Sequence, residues 1–155
     1  MAGQRGTRLI AENRRARRDY EVLERIEAGL VLTGTEVKSA REGRVQLGHA
    51  YADIRDGEAW LVGASIAEYG KAGAFGHAPE RDRKLLLHRR EIDSLAGKVR
   101  EKGLTLVPLR MYLKDGKIKV ELALARGRER ADKRRLLAER DAQRQIERAL
   151  KRRRS

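Results

Sequence analysis

The chain has 155 residues, 37 Lys and Arg against 23 Asp and Glu for a formal net charge of +14, and no cysteine. That length suits one domain burying roughly 70% of the surface its unfolded form exposes. The composition excludes disulfides, thiol nucleophiles and zinc sites built on Cys; His49, His77 and His88 lack helical ligand spacing, and no apolar run approaches the ~18 residues of a membrane-spanning helix.

In chain order, residues 1–8 have little to bury and are expected to be disordered. Leu9 to Asp19 permits a short helix, and Tyr20 to Leu32 reads as two short strands around Ala28-Gly29. Thr35 to Gly43 predicts a short helix capped by Thr35, with Val37 and Ala40 inward and Lys38 and Arg41 in its last turns. Asp56-Gly57 predicts a hairpin joining Tyr51–Ile54 to Ala59–Val62, because Asp-Gly accepts the positive φ angles of a tight turn. Tyr69 to Arg83 is a Gly-rich charged loop of a length that is usually functional or mobile. Lys84 to Leu87 is a buried strand or turn, with Leu86 read as core. His88 to Lys102 is a helix with Ile92, Leu95, Ala96 and Val99 on one face, closed by Gly103. A second hairpin, Leu104 to Leu124, turns at Asp115-Gly116. Val107, Leu109, Met111 and Leu113 are expected on one side, and Arg110, Tyr112, Lys114, Lys117 and Lys119 on the outer one. Pro108 marks a bulge or an edge. From Arg126 onward helix formers dominate, with an apolar stripe too narrow to dock firmly. This tail is expected to be disordered alone and helical against a partner.

The charge is uneven. Residues 1–19 are net +4, residues 20–125 net +2 and residues 126–155 net +8. A nearly neutral domain with two basic extensions predicts a polyanionic partner, and nucleic acid leads because each neutralised phosphate releases counterions. Catalytic patterns are missing: no phosphate-binding glycine loop occurs, and Ser65 of Gly63-Ala64-Ser65 lies in a predicted strand. Glu80 and Asp82 sit among Arg81, Arg83 and Lys84 as a solvated loop, and Glu91 and Asp93 suit a helix start. The chain therefore reads as a non-enzyme without metal or cofactor. With no signal-peptide stretch after the basic N-terminus, it is expected in the cytoplasm, not a membrane.

Five segments in order carry a resemblance: Asn13 to Tyr20, Glu27-Ala28-Gly29, Gly34 to Ser39, Arg83 to His88, and Gly127 through Asp132-Lys133-Arg134. Together they resemble the SmpB family of SsrA-binding proteins, which bind transfer-messenger RNA (tmRNA) in trans-translation. The match runs from about Asn13 to Lys151. The resemblance implies a mainly β fold with helices, an OB-type antiparallel barrel over residues 9–125 with flanking helices, and a basic C-terminal tail over 126–155. It also implies an RNA-binding adaptor for ribosome rescue. The barrel would bind the tRNA-like domain of tmRNA. The tail would enter the vacant mRNA channel and meet small-subunit rRNA at the decoding centre. The unfinished protein is then tagged for degradation, with elongation factor Tu in the delivery complex. The alternative is an OB-fold ribosomal or initiation-factor-like protein that binds rRNA directly.

By position, the resemblance assigns tmRNA contact to Asn13, Arg15, Tyr20, Glu27, Lys38, Leu86, His88 and Lys119. The residue types leave several of these open. Tyr20 suits stacking on an unpaired base or a core position with its hydroxyl satisfied. Glu27 suits accepting from base or sugar donors, or a surface salt bridge. His88 suits stacking or helix capping, and Asn13 an N-cap as well as a contact. In the tail the resemblance marks Arg126, Gly127, Arg128, Asp132, Lys133 and Arg134 for the ribosome. Arg can meet rRNA phosphate with two-pronged geometry, and Gly127 would free a hinge. Three positions depart from the family pattern: Ala131 replaces a Tyr or His, Ala138 a basic residue, and His49-Ala50 an Asp-Ser pair.

Overall fold

The computed structural model describes residues 6–70 and 76–154, with side chains at all of them except 129–139, 153 and 154. Two Asp-Gly turns set its frame. Asp56-Gly57 joins β4 (Tyr51–Arg55) to β5 (Glu58–Val62), and Asp115-Gly116 joins β8 (Thr105–Lys114) to β9 (Lys117–Gly127). All four turn residues have φ between 51° and 79°, as this hairpin requires. With β1 (Thr7–Glu12), β2 (Tyr20–Leu30) and β7 (Arg83–Leu86) they form one antiparallel sheet in the order β1-β8-β4-β5-β7-β2-β9. Pairing of β8 with β9 closes it into a ring, the barrel that the family resemblance implied. A small pair, β3 (Val45–Gln46) with β6 (Ser65–Ile66), stands beside it.

Three expectations about the first third of the chain are corrected. Thr7 and Arg8 are not a loose extension, and Leu9 to Glu12 is not helical: all belong to β1, on the edge of β8 from Thr7 opposite Lys114 to Glu12 opposite Arg110. A free strand edge satisfies backbone groups that a short isolated helix holds poorly. Only Arg14–Asp19 is helix (α1), started by Asn13. Tyr20 to Leu30 is one strand, because Gly29 marks a close approach instead of a turn. It pairs with Lys119 on one side and Leu86 on the other, and a Cβ there would lie 3.2 Å from the Leu86 Cβ. Residues 1–5 and 71–75 lie outside the described residues.

The interior of the ring holds Leu61, Ile66, Leu85, Met111, Val120 and Leu122, each at most 1% exposed. A second, smaller cluster lies on the outside of β8 and β9, where Ala16 of α1 covers Val107, Leu109, Ala123 and Ala125. Val107 and Leu109 therefore do not share a side with Met111. The register shifts between Pro108 and Arg110, and the extra residue reverses the alternation.

Helix α2 (Gly34–Arg41) is capped by Thr33, not Thr35: the Thr33 hydroxyl accepts from Glu36 N–H and Glu36 Oε1 accepts from Thr33 N–H. Glu36 also faces inward. Its carboxylate accepts from Arg81 and from Arg83 Nε at 2.6 Å, and the Glu36 and Arg83 side chains are both fully buried. Arg83 spends its remaining donors on the carbonyls of Ala64, Ala78 and Pro79. His77 completes this anchor, with Nε2 donating to the Ile66 carbonyl (2.9 Å) and Nδ1 accepting from the Thr35 hydroxyl (2.8 Å). Helix α3 (Arg89–Lys102) packs Ile92 and Leu95 inward and ends at Gly103 in the left-handed region, φ 62°. Helix α4 (Arg128–Arg154) follows β9 directly, and its residues 140–152 are exposed.

Removing Glu36 leaves Arg83 charged and buried without its partner. Glu36→Ala is expected to cost about 3–5 kcal/mol in urea unfolding. Burial alone would raise the Glu36 carboxyl, but hydrogen bonds from Arg81, the Thr33 N–H and Arg83 outweigh it and hold it below the ordinary range. Its contribution is complete above the unfolded glutamate value of about 4.3 and fades as pH falls through the lower folded value. Acid titration of stability should therefore be flatter for Glu36→Gln than for the parent.

Candidate nucleic-acid interface

The residues assigned by resemblance gather mainly in two clefts on the barrel. The larger, about 720 Å³, is lined by Glu27, Gly29, Leu86, His88 and Lys119 among others. The second, about 400 Å³, is lined by Asn13, Arg15, Tyr20 and Gly127, joined by His49 and Tyr51. Tyr20 and Glu27 are seven positions apart on β2, about 23 Å at ~3.3 Å per residue. An odd separation would put them on opposite faces of a regular strand. A register shift between Val22 and Glu24 prevents this. Tyr20 and Val22 pack with the outer cluster, while Ile26 and Ala28 face the core. Glu27 therefore points outward like Tyr20, and both clefts open on the same side of β2.

In the larger cleft, Leu86 is 52% exposed, not core; its neighbour Leu85 takes the inward place at 1%. Strand β7 is short, and its pairing to β5 and β2 fixes Leu85 inside and so Leu86 outside. His88 is the N-cap of α3; its N–H donates to Glu91 Oε1 (2.9 Å) and its ring is exposed. Lys119 has no ion-pair partner among the described residues. Glu27 does have partners: the Tyr112 hydroxyl donates to it, and Lys114 Nζ lies 3.3 Å from one of its oxygens. The Tyr112 hydrogen bond, opposed by desolvation and helped by Lys114 and Lys119, holds the Glu27 carboxyl below the usual range. Burial, with Glu27 alongside, pushes the Tyr112 phenol far above its ordinary value. Tyr112 was legible only as an outward-facing residue; a tyrosine alternating with Arg110 and Lys114 was the available signal.

In the second cleft, Asn13 is 2% exposed and acts as the N-cap of α1. Its amide donates to the carbonyls of Leu47 (3.0 Å) and Pro108 (2.8 Å), and its oxygen accepts from Ala16 N–H (3.0 Å). It positions α1 at the edge of this cleft. Arg15 remains exposed, 3.3 Å from Asp19 and 2.9 Å from His49 Nδ1. A guanidinium only donates, so His49 Nδ1 is the acceptor there. Tyr20 is half-buried, with its ring against Gly127.

Of the other assigned residues, Lys38, Arg126 and Arg128 lie outside both clefts, while Gly127 lines the second. Lys38 is on α2, 5.6 Å from the Tyr69 ring centroid. Arg126 and Gly127 end β9, opposite Glu21 and Tyr20, instead of opening a detached tail. The strand persists because Tyr20 and Glu21 still offer a pairing edge. Arg126 and Arg128 are exposed with no ion-pair partner among the described residues. Asp132, Lys133 and Arg134 lie on the helical backbone of α4, and their side chains fall outside the described residues. No cluster of His, Cys, Asp and Glu fit for a metal occurs among the described residues, and no described helix is long and apolar enough to cross a membrane.

A family model described as SmpB protein matches residues 10–152. The chain is 59% identical over 153 residues to the SsrA-binding protein of Acidothermus cellulolyticus, covering 99% of this chain and 96% of that one. It is 57% identical to that of Mycolicibacterium smegmatis, covering 94% and 91%. It is also similar to a chain in a solved structure described as "tmRNA-SmpB: a journey to the center of the bacterial ribosome". That match has 53% identity and a TM-score of 0.64, covering 76% of this chain and 82% of that one.

Asn13→Ala strips three partners at once. It is expected to lower stability by about 2–3 kcal/mol in urea unfolding, from loss of the cap and of the amide's bonds to the Pro108 and Leu47 carbonyls, of which Leu47 keeps the Ala50 N–H (2.9 Å).

Proposed function

The chain belongs to the SmpB family, and on that premise we propose that it is the RNA-binding adaptor of trans-translation. Its barrel binds the tRNA-like domain of tmRNA, and the complex is delivered to stalled ribosomes with elongation factor Tu. The C-terminal segment occupies the vacant mRNA channel and decoding centre, so that the nascent chain is tagged for degradation. The protein acts in the cytoplasm and catalyses no reaction itself. The single observation that carries this reading is the gathering of Glu27, Leu86, His88 and Lys119 in one cleft and Arg15 and Tyr20 in another, on the same side of β2.

The chemistry of each cleft supports it. Exposed Leu86 offers an apolar ledge for a base or ribose, Lys119 a phosphate partner, and Glu27 an acceptor for base or sugar hydrogens. Tyr20 offers a ring face beside Arg15. Asn13 contributes by holding α1, and Lys38 reaches RNA from α2, apart from both clefts. The alternative of direct rRNA binding by a ribosomal or initiation-factor-like protein is not favoured, since relatives matched over nearly the full length are SsrA-binding proteins.

Helix α4 would be about 40 Å long at ~1.5 Å per residue. Its residues 140–152 are exposed. A helix without tertiary support is marginal in water, so we read the tail as frayed when free and fixed by rRNA, with Arg126, Arg128, Lys133 and Arg134 meeting phosphates. Gly127 turns the chain from barrel to tail, and Asp132 lies within the same tail segment.

Deleting residues 131–155 should leave affinity for the isolated tRNA-like domain unchanged and abolish tagging in a reconstituted stalled-ribosome assay. Normal tagging by the truncated protein would refute the role given to the tail. In the same binding assay log affinity should fall linearly with log salt, and Lys119→Ala should make that slope shallower by about 0.7–0.9.

A further inference from the structure

Tyr112 is an unusual occupant of the outer wall. It stands opposite Lys119 across β8 and β9 and is 4% exposed, with the Arg110 guanidinium 5.1 Å from its ring centroid. A phenylalanine would fill the same space; only the hydroxyl demands a partner. That hydroxyl donates to Glu27 Oε2, and Lys114 Nζ lies 3.4 and 3.3 Å from the two carboxylate oxygens. Glu27 is thus gripped from β8 while its own strand holds it at the rim of the larger cleft, beside Lys119 and Leu86. An ionised carboxylate repels phosphate and only accepts hydrogen bonds. In a cleft that takes ribonucleotide, its counterpart is an N–H or O–H donor on a base or ribose.

We propose that Tyr112 is a positioning residue of this cleft: its hydroxyl fixes the Glu27 carboxylate in the one orientation that accepts from a base or ribose donor of the bound RNA. The proposal rests on the reading of the cleft as a tmRNA surface. The competing account is that Glu27 merely neutralises neighbouring lysines and Tyr112 merely packs. The two differ in how the residues couple. If Tyr112 acts through Glu27, its hydroxyl is worthless once Glu27 can no longer be a carboxylate.

The full chain, Tyr112→Phe, Glu27→Gln, the double variant and Glu27→Asp are titrated against the labelled tRNA-like domain of tmRNA, with melting temperatures recorded. Tyr112→Phe and Glu27→Gln are each expected to weaken binding roughly tenfold. The double variant should bind no more weakly than Glu27→Gln, and the salt slope of Tyr112→Phe should equal that of the parent, since no phosphate contact is lost. Glu27→Asp keeps the charge but withdraws it from the hydroxyl, so it should bind as weakly as Glu27→Gln; this surface variant decides the matter if Tyr112→Phe folds poorly. Parent-like binding by Tyr112→Phe or Glu27→Asp beside a weak Glu27→Gln overturns the positioning role and leaves the cleft assignment standing. Losses that multiply in the double variant overturn it equally. If neither Glu27→Gln nor Lys119→Ala weakens binding, the cleft assignment itself has failed and the proposal falls with it.

Discussion

Gly29 joins three strands of the barrel wall. There β2 is hydrogen-bonded to β9 on one edge and to β7 on the other, and the backbones approach so closely that a methyl group would press on the Leu86 side chain. This constraint creates the larger cleft. It brings Glu27, Leu86 and Lys119, which are distant in sequence, onto three adjacent strands with their outward positions in step. A larger residue at this point would push β7 away from β2 and separate those side chains.

Around this seam the charges fall into two populations. Some arginines and lysines are neutralised within the protein: Arg17 by Glu12, Arg55 by Asp53 and Asp82, Lys84 by Glu58, and Lys98 by Glu24. Others, including Lys117, Lys119, Arg126 and Arg128, carry no such partner among the described residues. Exposed pairs contribute little to stability. Their main effect here is subtraction: they cancel charge locally, the Lys84–Glu58 pair in the larger cleft included, and leave Lys119 in that cleft and Arg126 and Arg128 at the start of α4 unmatched among the described residues. Net charge by itself showed only that the ends were basic. The pairing pattern localises the field that a polyanion meets.

Sequence made the two hairpins plain, because Asp-Gly has a strong local preference, and it made α3 plain through its apolar spacing and terminal glycine. It obscured whatever depends on distant partners. β1 reads as helix until the free edge of β8 is known. Gly29 reads as a turn until its neighbours on both sides are known. Leu86 reads as core because Leu85 to Leu87 is an apolar run, and only strand register divides its faces. The bulges near Leu23 and Leu109 leave no strong local signature, although Pro108 hinted at one. They decide which side chains share a face, and so whether Tyr20 and Glu27 can serve one surface. The assigned contact residues came from ordered resemblance; the hydrogen-bonded setting of Glu27 came only from the folded arrangement.

The direct passage from β9 into α4 at Gly127–Arg128 has a geometric corollary. With no slack segment between strand and helix, the azimuth of the tail is indexed to the barrel whenever its helix is intact. One residue gained or lost at that junction would rotate every later side chain by about 100° around the helix axis and shift it ~1.5 Å along. The spacing there works as a phase setting: it determines which flank of the cationic rod points in any given direction, and a sequence of unchanged composition but altered count would present a different flank.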